Sequence, residues 1–377
     1  MDVGIYLGTT KSCIYYTKGG YPKLVYMPDG SSCLPSVVFY GDSNPILGNI
    51  VRAFITQGRP NLARYSRRLL GKDFNSPEVE ELRNQAHCPL VEVNGKPVYA
   101  FKNGTTKTPE DVCADIVKYL LNTAKKFTEK TIGNVCVAVP SQFDDSQRRA
   151  MIEAVKKAGI PEDHISLISE PIAAAIHYLR ANPMENGHLL VFDFGQTLEV
   201  SIVRVKDEEI TVEANRGDDH LGGLDMDYAI LEWMKTEYRT VMGEDLPERD
   251  KQGTNRPLLK LLAIAEKAKR DLSASPATDI VFEGIQGVDP EFTIQMTRSR
   301  LEIIIKPFID RAMDVIKDAL EACGLEKGDI NDVILYGGST CIPIMRDTIL
   351  NYFNLPPKDN ADVYSIVAEG ACSMFAI

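Results

Sequence analysis

The chain has 377 residues, of which 44% are hydrophobic and 25% are charged. Its length favours two domains or two lobes, and its composition is that of an ordinary soluble globular protein. These values exclude a disordered tail, a collagen-like fibre and a small disulfide-stapled domain. With 42 basic and 53 acidic residues, the formal net charge is −11. We therefore expect no general affinity for nucleic acid or anionic membranes. A local basic pocket that binds phosphates is still compatible with this net charge.

The eight cysteines form neither a CxxC pair nor a Cys/His cluster at metal-binding spacing. Several lie in apolar runs, as Cys13 and Cys136 do, where a thiol acts as a small hydrophobe. This usage predicts a reducing compartment, cytoplasmic by default. The N-terminus has no basic stretch before an apolar core, and no apolar run approaches the roughly 20 residues of a membrane span. We expect neither a signal peptide nor a membrane segment.

Hydrophobic periodicity predicts strands that alternate with helices along the whole chain. In the first half, strands are predicted within 3–16 around a turn at 8–10, at 34–40 and at 135–139, and helices at 61–72, 109–129, 146–158 and 173–179. In the second half, strands are predicted at 189–194, 199–205 and 332–336, and helices at 256–272, 297–322 and 342–352. The pattern is typical of an α/β architecture with mixed sheets.

A polar segment at 182–187, which contains Pro183 and Gly187, predicts a boundary between two lobes. The sequence after this segment is similar to the beginning of the chain, as a comparison of 189–197 with 4–10 shows. In both, an apolar strand is followed by a variable residue, an apolar residue, Gly, a second variable residue and Thr. A further predicted strand follows each segment. Such an echo favours two similar lobes that face one another. A chance similarity of two turns is the alternative.

Three glycine-containing turns follow predicted strands, at 7–10 (LGTT), 194–197 (FGQT) and 337–340 (GGST). Small residues let the backbone approach a ligand, and successive N–H groups can point at phosphate oxygens. One such turn is ordinary structure, whereas three in one chain favour a nucleotide cleft. The sequence has no GxxxxGK[ST] loop and no GxGxxG at a strand–helix junction, which argues against P-loop and dinucleotide folds. It also lacks the signatures of serine hydrolases, zinc proteases and protein kinases.

Beyond these turns, ordered segments along the whole chain resemble the nucleotide-binding domain of the seventy-kilodalton heat-shock chaperones (DnaK type), within the actin and sugar-kinase ATPase superfamily. Those segments are VAVPSQFDDSQRRAM (137–151), ISEPIAAAIHYL (168–179), VFDFGQTLEVSI (191–202), GDDHLGGLDMD (217–227), AEKAKRDLS (265–273) and VILYGGSTCIP (333–343). The resemblance implies an actin-like (RNase-H-like) ATPase fold of two lobes, each with an inner and an outer subdomain. It places lobe I at 1–183 with its outer part at 36–111, lobe II at 184–356 with its outer part at 222–303, and a crossing helix at 357–377.

The same resemblance assigns site residues. It implies that ATP or ADP binds between the lobes with Mg²⁺, which Asp193 and Glu170 hold through water while they orient the attacking water. It places Thr197 near the γ-phosphate and gives Arg67 the position of an essential lysine. The implied nucleotide-binding residues are Gly8, Thr9, Thr10, Lys11, Gly195, Gln196, Glu266, Lys269, Arg270, Ser273, Gly338 and Ser339. Pro140 and Arg148 match positions that communicate the nucleotide state to a substrate-binding domain; plain structural roles are their alternative.

The chain departs from the family pattern in its catalytic centre. Tyr6 stands where the family has an acidic residue. Arg67 stands where the family has a lysine, and its guanidinium is broad and planar whereas a lysine ammonium is a compact point charge. The loop DLGGGT is shortened by one residue to DFGQT. Cys341 replaces an arginine on the adenine side, and Leu224 replaces an acidic residue. These changes predict weakened or lost ATP hydrolysis.

Two functions follow as alternatives. The first is the adenine-nucleotide-binding domain of a divergent chaperone, with unfolded polypeptide clients, a J-domain co-chaperone and a nucleotide-exchange factor as partners. The second is a non-catalytic interaction module, such as a co-chaperone or a ribosome-associated partner. A small-molecule kinase is disfavoured because the matches extend through the outer subdomains. Since the sequence shows no substrate-binding domain, it belongs either to a fragment of a longer protein or to a truncated member.

Overall fold

The computed structural model describes residues 1–41, 44–85, 88–251, 253–289, 291–356 and 363–376. Its strands are β1 (Val3–Leu7), β2 (Lys11–Lys18), β3 (Tyr21–Leu24), β4 (Leu34–Pro35), β5 (Val38–Phe39), β6 (Leu62–Ala63), β7 (Leu90–Val93), β8 (Lys96–Ala100), β9 (Thr106–Lys107), β10 (Val135–Val139), β11 (Ile165–Ser169), β12 (Asn186–Phe194), β13 (Leu198–Lys206), β14 (Glu209–Asp218), β15 (Ala277–Val281), β16 (Thr293–Thr297) and β17 (Ile330–Tyr336). Its helices are α1 (Ile50–Thr56), α2 (Ser66–Leu69), α3 (Pro77–Gln85), α4 (Pro109–Thr128), α5 (Asp145–Lys157), α6 (Glu170–Ala181), α7 (Gly223–Met242), α8 (Arg256–Ala274), α9 (Arg298–Cys323), α10 (Pro343–Tyr352) and α11 (Ile366–Ser373).

Two large mixed sheets organise the molecule. In the first, the strands run β11-β10-β1-β2-β3, and β4 pairs with β2; in the second, they run β14-β13-β12-β17. Within the first sheet, β1 is parallel to β10 and antiparallel to β2. Within the second, β12 is parallel to β17 and antiparallel to β13. The echo between the two halves of the sequence is therefore real at the level of topology.

Helix ends are well specified where the sequence carries capping residues. At α4, the Thr108 side chain accepts a hydrogen bond from the Asp111 N–H, and the Asp111 carboxylate accepts one from the Thr108 N–H. Asp144 and Gln147 form the same reciprocal box at α5. Each box satisfies backbone donors that would otherwise lack partners in the first helical turn. Both predicted helices are confirmed.

The predicted helix at 61–72 is wrong for most of its length. The segment forms the short strand β6 and the single turn of α2. Asn61 and Tyr65 have φ values of 66° and 62°, and Gly71 has a φ of 69°, a left-handed conformation that a right-handed helix cannot contain. After these breaks, the Arg67 side chain reaches Glu170 and the Leu7 carbonyl oxygen.

The two large sheets are joined by helices that pack very closely. Each sheet has its own apolar core, and a third core between them includes residues of α6, α11, β10 and β12. A Cβ on Gly370 of α11 would lie 1.8 Å from the carbonyl oxygen of Ala173 in α6, and one on Gly4 would lie 2.1 Å from the Cys372 nitrogen. Only glycine permits this approach. The helices of the described ranges include none with the length and apolar character of a bilayer-spanning segment.

Candidate functional site

The floor of the cleft forms where β1 and β12 end side by side with the start of α6. Tyr6 lies near the end of β1, Asp193 near the end of β12, and Glu170 opens α6. Arg67 reaches this floor from α2: its Nη1 donates to Glu170 Oε1 at 2.5 Å and to the Leu7 carbonyl oxygen at 3.2 Å. Arg67 and Glu170, two predicted site residues that are 103 positions apart in the chain, therefore meet.

Arg67 and Glu170 form a buried ion pair, with side chains 11% and 0% exposed. Burial alone would lower the pKa of Arg67, but the surrounding acidic groups, with Glu170 first among them, together outweigh it and raise that pKa. Burial raises the pKa of Glu170, and Arg67 opposes this shift. Because each ion is largely removed from water, loss of either partner would leave an uncompensated buried charge.

Acidic groups outnumber basic ones on this floor. Burial first, and then the Glu170 charge, raise the pKa of Asp193 well above its usual value. The same two causes raise the pKa of Glu199 to about 7. Glu199 Oε1 accepts hydrogen bonds from the Ser141 N–H at 3.3 Å and from Asn215 Nδ2 at 3.1 Å. The floor thus concentrates three carboxyl groups around the guanidinium of Arg67.

Tyr6 contributes a neutral phenol to the floor. Burial and the Glu170 carboxylate raise its pKa well above the usual value, so it cannot act as an anionic ligand at neutral pH. The Arg67 guanidinium lies 5.7 Å from the centre of its ring. A Cβ on Gly8 would lie 2.7 Å from Tyr6 Cε1, so the ring is packed directly against the first glycine turn.

That first turn connects β1 to β2, because Leu7 pairs with Ser12 across the antiparallel ladder. Thr9 is half-buried and Thr10 is exposed, and the Thr10 carbonyl oxygen accepts a hydrogen bond from the Ser36 N–H at 3.0 Å. The Lys11 ammonium lies 3.4 Å from the centre of the Tyr364 ring.

The second turn, 195–197, occupies the equivalent place between β12 and β13, where Phe194 pairs with Leu198. It has three residues where the first turn has four (8–11). The N-terminus of α7 packs on it: the Gly223 N–H donates to the Gly195 carbonyl oxygen at 2.8 Å, and a Cβ on Gly222 would lie 1.8 Å from the Gln196 carbonyl oxygen. Gly195, Gln196 and Thr197 are each half-buried, and Gln196 lines a small cavity with Leu224 and Glu266.

The third turn belongs to β17 and the short helix at Gly338–Cys341. Ser339 Oγ donates to the Gly195 carbonyl oxygen at 3.4 Å, so the second and third turns are in contact. A Cβ on Gly338 would lie 2.8 Å from the Tyr364 hydroxyl. Cys341 is exposed at the end of this turn.

Helix α8 borders the cleft on its opposite side. Lys269 is buried, where its ammonium pairs with Asp227 Oδ1 at 2.7 Å and donates to the Gly223 carbonyl oxygen at 2.5 Å. Burial raises the pKa of Asp227 to about 7, with Lys269 opposing the shift. Glu266 lines a small cavity with Gln196 and Leu224. Arg270 is exposed, and Ser273 Oγ donates to the Lys269 carbonyl oxygen at 3.1 Å.

The family model described as "Hsp70 protein" matches residues 2–377. The chain belongs to the Hsp70 family. It is 30% identical over 383 residues to a "Chaperone protein DnaK" of Psychrobacter cryohalolentis, and the match covers 100% of this chain and 58% of that relative. The chain thus spans somewhat more than half the length of this curated relative. Membership confirms the predicted actin-like, two-lobed α/β fold and the expected relationship to ATP-binding chaperones.

The Hsp70 family uses ATP and ADP with Mg²⁺, and buried acceptors on this floor fit a hydrated cation. Glu170 Oε2, Asp193 Oδ1 and Gln196 Oε1 are buried without a hydrogen-bond partner, although such groups are normally satisfied. Mg²⁺ keeps several of its waters and needs only one or two carboxylates. Among the residues that the structure describes, no group of three or more His, Cys, Asp or Glu is arranged to hold a metal directly, so these donors suit contact through water.

A groove on the surface connects to this floor through Glu199. Pro140 follows β10, and Ser141, the next residue, donates to Glu199 and lines a cavity of about 600 Å³ with Asn215 of β14. Arg148, on α5, donates from Nε to the Phe143 carbonyl oxygen at 2.9 Å and so stabilises the turn that follows Pro140.

Sequence reasoning missed Glu199, Asp227, Tyr336 and Tyr364. Glu199 and Asp227 lie within the segments that carried the resemblance, 191–202 and 217–227, but a strand or helix position alone does not show that a carboxyl group is buried. Tyr336 is buried opposite Asp193 in the parallel pairing of β12 with β17 and looks like an ordinary core residue at the end of a strand. Tyr364 has no motif around it, and only the folded structure shows that it contacts Lys11.

Proposed function

We propose that the chain is the adenine-nucleotide-binding domain of a divergent Hsp70-type chaperone, in which ATP binding is retained and hydrolysis is weakened or lost. The observation that carries the proposal is the convergence of three glycine turns above a floor that has unsatisfied acidic acceptors and a neutral Tyr6. Small glycine turns let the backbone approach phosphates closely, while the altered floor suits binding better than chemistry.

In this proposal, the phosphates lie against the turns at 8–11 and 195–197, with Thr197 nearest the γ-phosphate. The adenosine lies between α8, through Glu266, Lys269, Arg270 and Ser273, and the turn at Gly338 and Ser339. Asp193 and Glu170 would hold Mg²⁺ through water, and a bound ion would neutralise phosphate charge. The acceptors left without partners on these side chains support the assignment.

Weak hydrolysis follows from what surrounds the water that would attack. Glu170 is tied to Arg67 at 2.5 Å, which reduces its capacity to accept a proton. Tyr6 presents a phenol in place of a carboxylate, so one acceptor that would position water or the ion's hydration shell is lost. Removal of one preorganised stabilising group commonly costs about 10²- to 10³-fold in rate.

The test compares the unmodified protein with Tyr6→Asp in single-turnover ATP hydrolysis, with calorimetric titration of ATP and ADP alongside. We expect micromolar binding in both and at least tenfold faster hydrolysis in Tyr6→Asp. Tyr21→Asp, on an exposed strand away from the cleft, is the matched control and is expected to hydrolyse like the unmodified protein. Equal rates for Tyr6→Asp and Tyr21→Asp would contradict the proposed role of Tyr6.

The proposal extends to organisation, partners and location. We propose lobe I at 1–183 and lobe II at 184–356, with outer parts at 36–111 and 222–303 and a final crossing helix.

Polypeptide clients would be bound by a region outside this chain, and a J-domain co-chaperone and an exchange factor would act on the nucleotide cycle. Pro140 and Arg148 beside the surface groove would transmit the nucleotide state. Among the residues that the structure describes, no two cysteines form a disulfide, which supports a reducing, cytoplasmic location.

A second candidate is a non-catalytic interaction module that uses the fold as a docking surface. One observation favours it: Arg67, Lys269 and Lys11 already engage Glu170, Asp227 and the Tyr364 ring. Thermal unfolding with ATP and ADP decides between the candidates, because a ligand that binds only the folded state raises Tm. An unchanged Tm at millimolar nucleotide would support the module and contradict nucleotide binding.

A further inference from the structure

The first turn of α7 rests on the second glycine turn, 195–197. The Gly223 N–H donates to the Gly195 carbonyl oxygen at 2.8 Å, and a Cβ on Gly222 would lie 1.8 Å from the Gln196 carbonyl oxygen. Both contacts join backbone to backbone, so no side-chain rotation can loosen them. The position of the glycine turn therefore follows the position of this helix end.

A buried ion pair fixes the same helix end to α8. Lys269 of α8 and Asp227 of α7 are only 7% and 4% exposed. The Lys269 ammonium pairs with Asp227 Oδ1 at 2.7 Å and donates to the Gly223 carbonyl oxygen at 2.5 Å. Asp227 follows Gly223 by four residues, so both partners of the ammonium lie on one face of α7. Lys269 is thus held at two points near the start of α7.

The Gly223 peptide is the place where this ion pair meets two of the glycine turns. A Cβ on Gly223 would lie 3.2 Å from the Lys269 ammonium, 3.2 Å from Ser339 Oγ and 3.3 Å from the Gly195 carbonyl oxygen. Ser339 Oγ donates to the same Gly195 carbonyl oxygen at 3.4 Å. A single residue, Gly223, therefore separates the Lys269 ammonium from the turn that would carry the phosphates.

Asp227 is the group that keeps the Lys269 ammonium at this place. A buried ammonium is costly unless an anion and further acceptors surround it. The N-terminus of a helix carries partial positive charge, which by itself repels a cation. The Asp227 carboxylate offsets both costs, and the Gly223 carbonyl oxygen accepts a further hydrogen bond from the ammonium. Without Asp227, the contact between α8 and the start of α7 loses its main attraction.

We propose that Asp227 is a positioning residue for the phosphate chain: by directing Lys269 to the Gly223 peptide, it fixes the 195–197 turn and so sets the preference of the site for ADP over AMP. The inference rests on the proposed nucleotide site. AMP has a single phosphate, so its binding depends less than that of ADP on the placement of the phosphate turns. Because Asp227 acts through Lys269 and Gly223, its effect belongs in the ratio of the two affinities.

The experiment is calorimetric titration of ADP and AMP at pH 8, above the pKa of about 7 of Asp227. We expect the ratio of ADP affinity to AMP affinity to fall about fivefold in Asp227→Ala, which corresponds to one hydrogen bond lost from the support of the turn. Asp227→Asn keeps an oxygen acceptor for Lys269 and is expected to lower the ratio less than about twofold. Asp310→Ala is the matched control, because Asp310 pairs with Lys306 on the exposed surface of α9, and it is expected to leave the ratio unchanged.

Two further measurements separate positioning from a general loss of stability. Without nucleotide, amide hydrogen exchange at 195–197 and at Gly223 is expected to be faster in Asp227→Ala than in Asp227→Asn, while exchange at 8–11 is the same in both. The double variant Asp227→Ala/Lys269→Met removes both buried charges. It is therefore expected to fold even if Asp227→Ala does not, and to show the same faster exchange at 195–197.

A ratio of ADP affinity to AMP affinity that is unchanged or higher in Asp227→Ala would overturn this inference and leave the proposed function standing. Exchange at 195–197 that is equally slow in every variant would overturn it as well. Failure of the unmodified protein to bind ADP would overturn both the inference and the proposed function.

Discussion

A neutral residue at position 6 changes the charge balance of the whole floor. Glu170 and Glu199 are buried acids, Asp193 is a half-buried one, and Arg67 is the guanidinium that they share. A further carboxylate at this point would add repulsion in a low-dielectric region, where like charges are costly. The phenol of Tyr6 avoids that cost, because burial keeps it protonated.

The raised pKa of Glu199 predicts a pH-dependent effect on stability. Burial raises the pKa from 4.5 to about 7, so between these pH values the folded state keeps a proton that the unfolded state has lost. Stability therefore falls as pH rises through this window, and the full penalty of about 3 kcal/mol applies above pH 7. Glu199→Gln keeps Oε1 as the acceptor for Ser141 and Asn215 and removes the penalty.

We expect Glu199→Gln to gain about 2 kcal/mol more free energy of unfolding at pH 8 than at pH 5, relative to the unmodified protein. Urea unfolding at the two pH values measures this difference. Glu209→Gln, at an exposed position, is the matched control. A gain of equal size at both pH values would show that the ionisation of Glu199 does not explain the effect.

At the scale of elements, the contact between α6 and α11 depends on the absence of one side chain. Gly370 brings α11 so close to α6 that an added Cβ would lie 1.8 Å from the Ala173 carbonyl oxygen and 2.5 Å from its carbonyl carbon. Both atoms belong to the backbone, so no side-chain rotation can relieve the clash. The two helices would have to separate, and the core between the sheets would open.

Gly370→Ala is therefore expected to lower the free energy of unfolding by about 3 kcal/mol. Chemical denaturation followed by circular dichroism gives the value. The control is Gly328→Ala, because an added Cβ at Gly328 meets nothing within 4 Å, and it is expected to cost less than about 0.5 kcal/mol. A loss of the same size in both variants would contradict the close packing of α11.

Much of the element pattern could be predicted from the sequence, because the long helices α4, α8 and α9 have an apolar face at helical spacing. The segment at 61–72 could not, because Asn61 and Tyr65 have positive φ angles and Asn61 accepts hydrogen bonds from the distant Lys102 and Tyr40 N–H groups. The identity of the floor residues could be predicted by resemblance. Their ionisation could not, because it depends on burial. The contact of Lys11 with Tyr364 joins opposite ends of the chain, which no local pattern encodes.

On the scale of the whole molecule, the two halves also meet at the open edge of the cleft. Helix α1 packs near α8, and Arg256 Nη2 donates to the Gln57 carbonyl oxygen at 3.1 Å. His220 Nδ1 lies 3.8 Å from Glu81 Oε2, a pair that is ionic when the histidine is protonated. These contacts would hinder the release of a nucleotide from the proposed site between the two halves.

Arg256→Ala is expected to speed the release of a fluorescent ADP analogue about fivefold, which corresponds to one hydrogen bond across the cleft. Stopped-flow displacement measures the rate. Lys260→Ala is the control on the same helix, because the Lys260 ammonium donates to Gly284 within its own half at 2.6 Å. If both variants release the analogue at the unmodified rate, the edge contacts do not retain the nucleotide.

The matching topology of β1 and β12 gives Tyr6 and Asp193 the same place in their respective halves, since one pairs with Cys13 and the other with Glu199 across equivalent hairpins. Of these two equivalent positions, only the one in β12 carries a carboxyl group, Asp193, whereas the one in β1 carries the phenol of Tyr6. In the proposed nucleotide site, a hydrated cation would therefore find a carboxylate at the end of β12 and none at the end of β1. The strand topology of the two halves is therefore equivalent, while the acidic charge at the ends of the two equivalent strands is not.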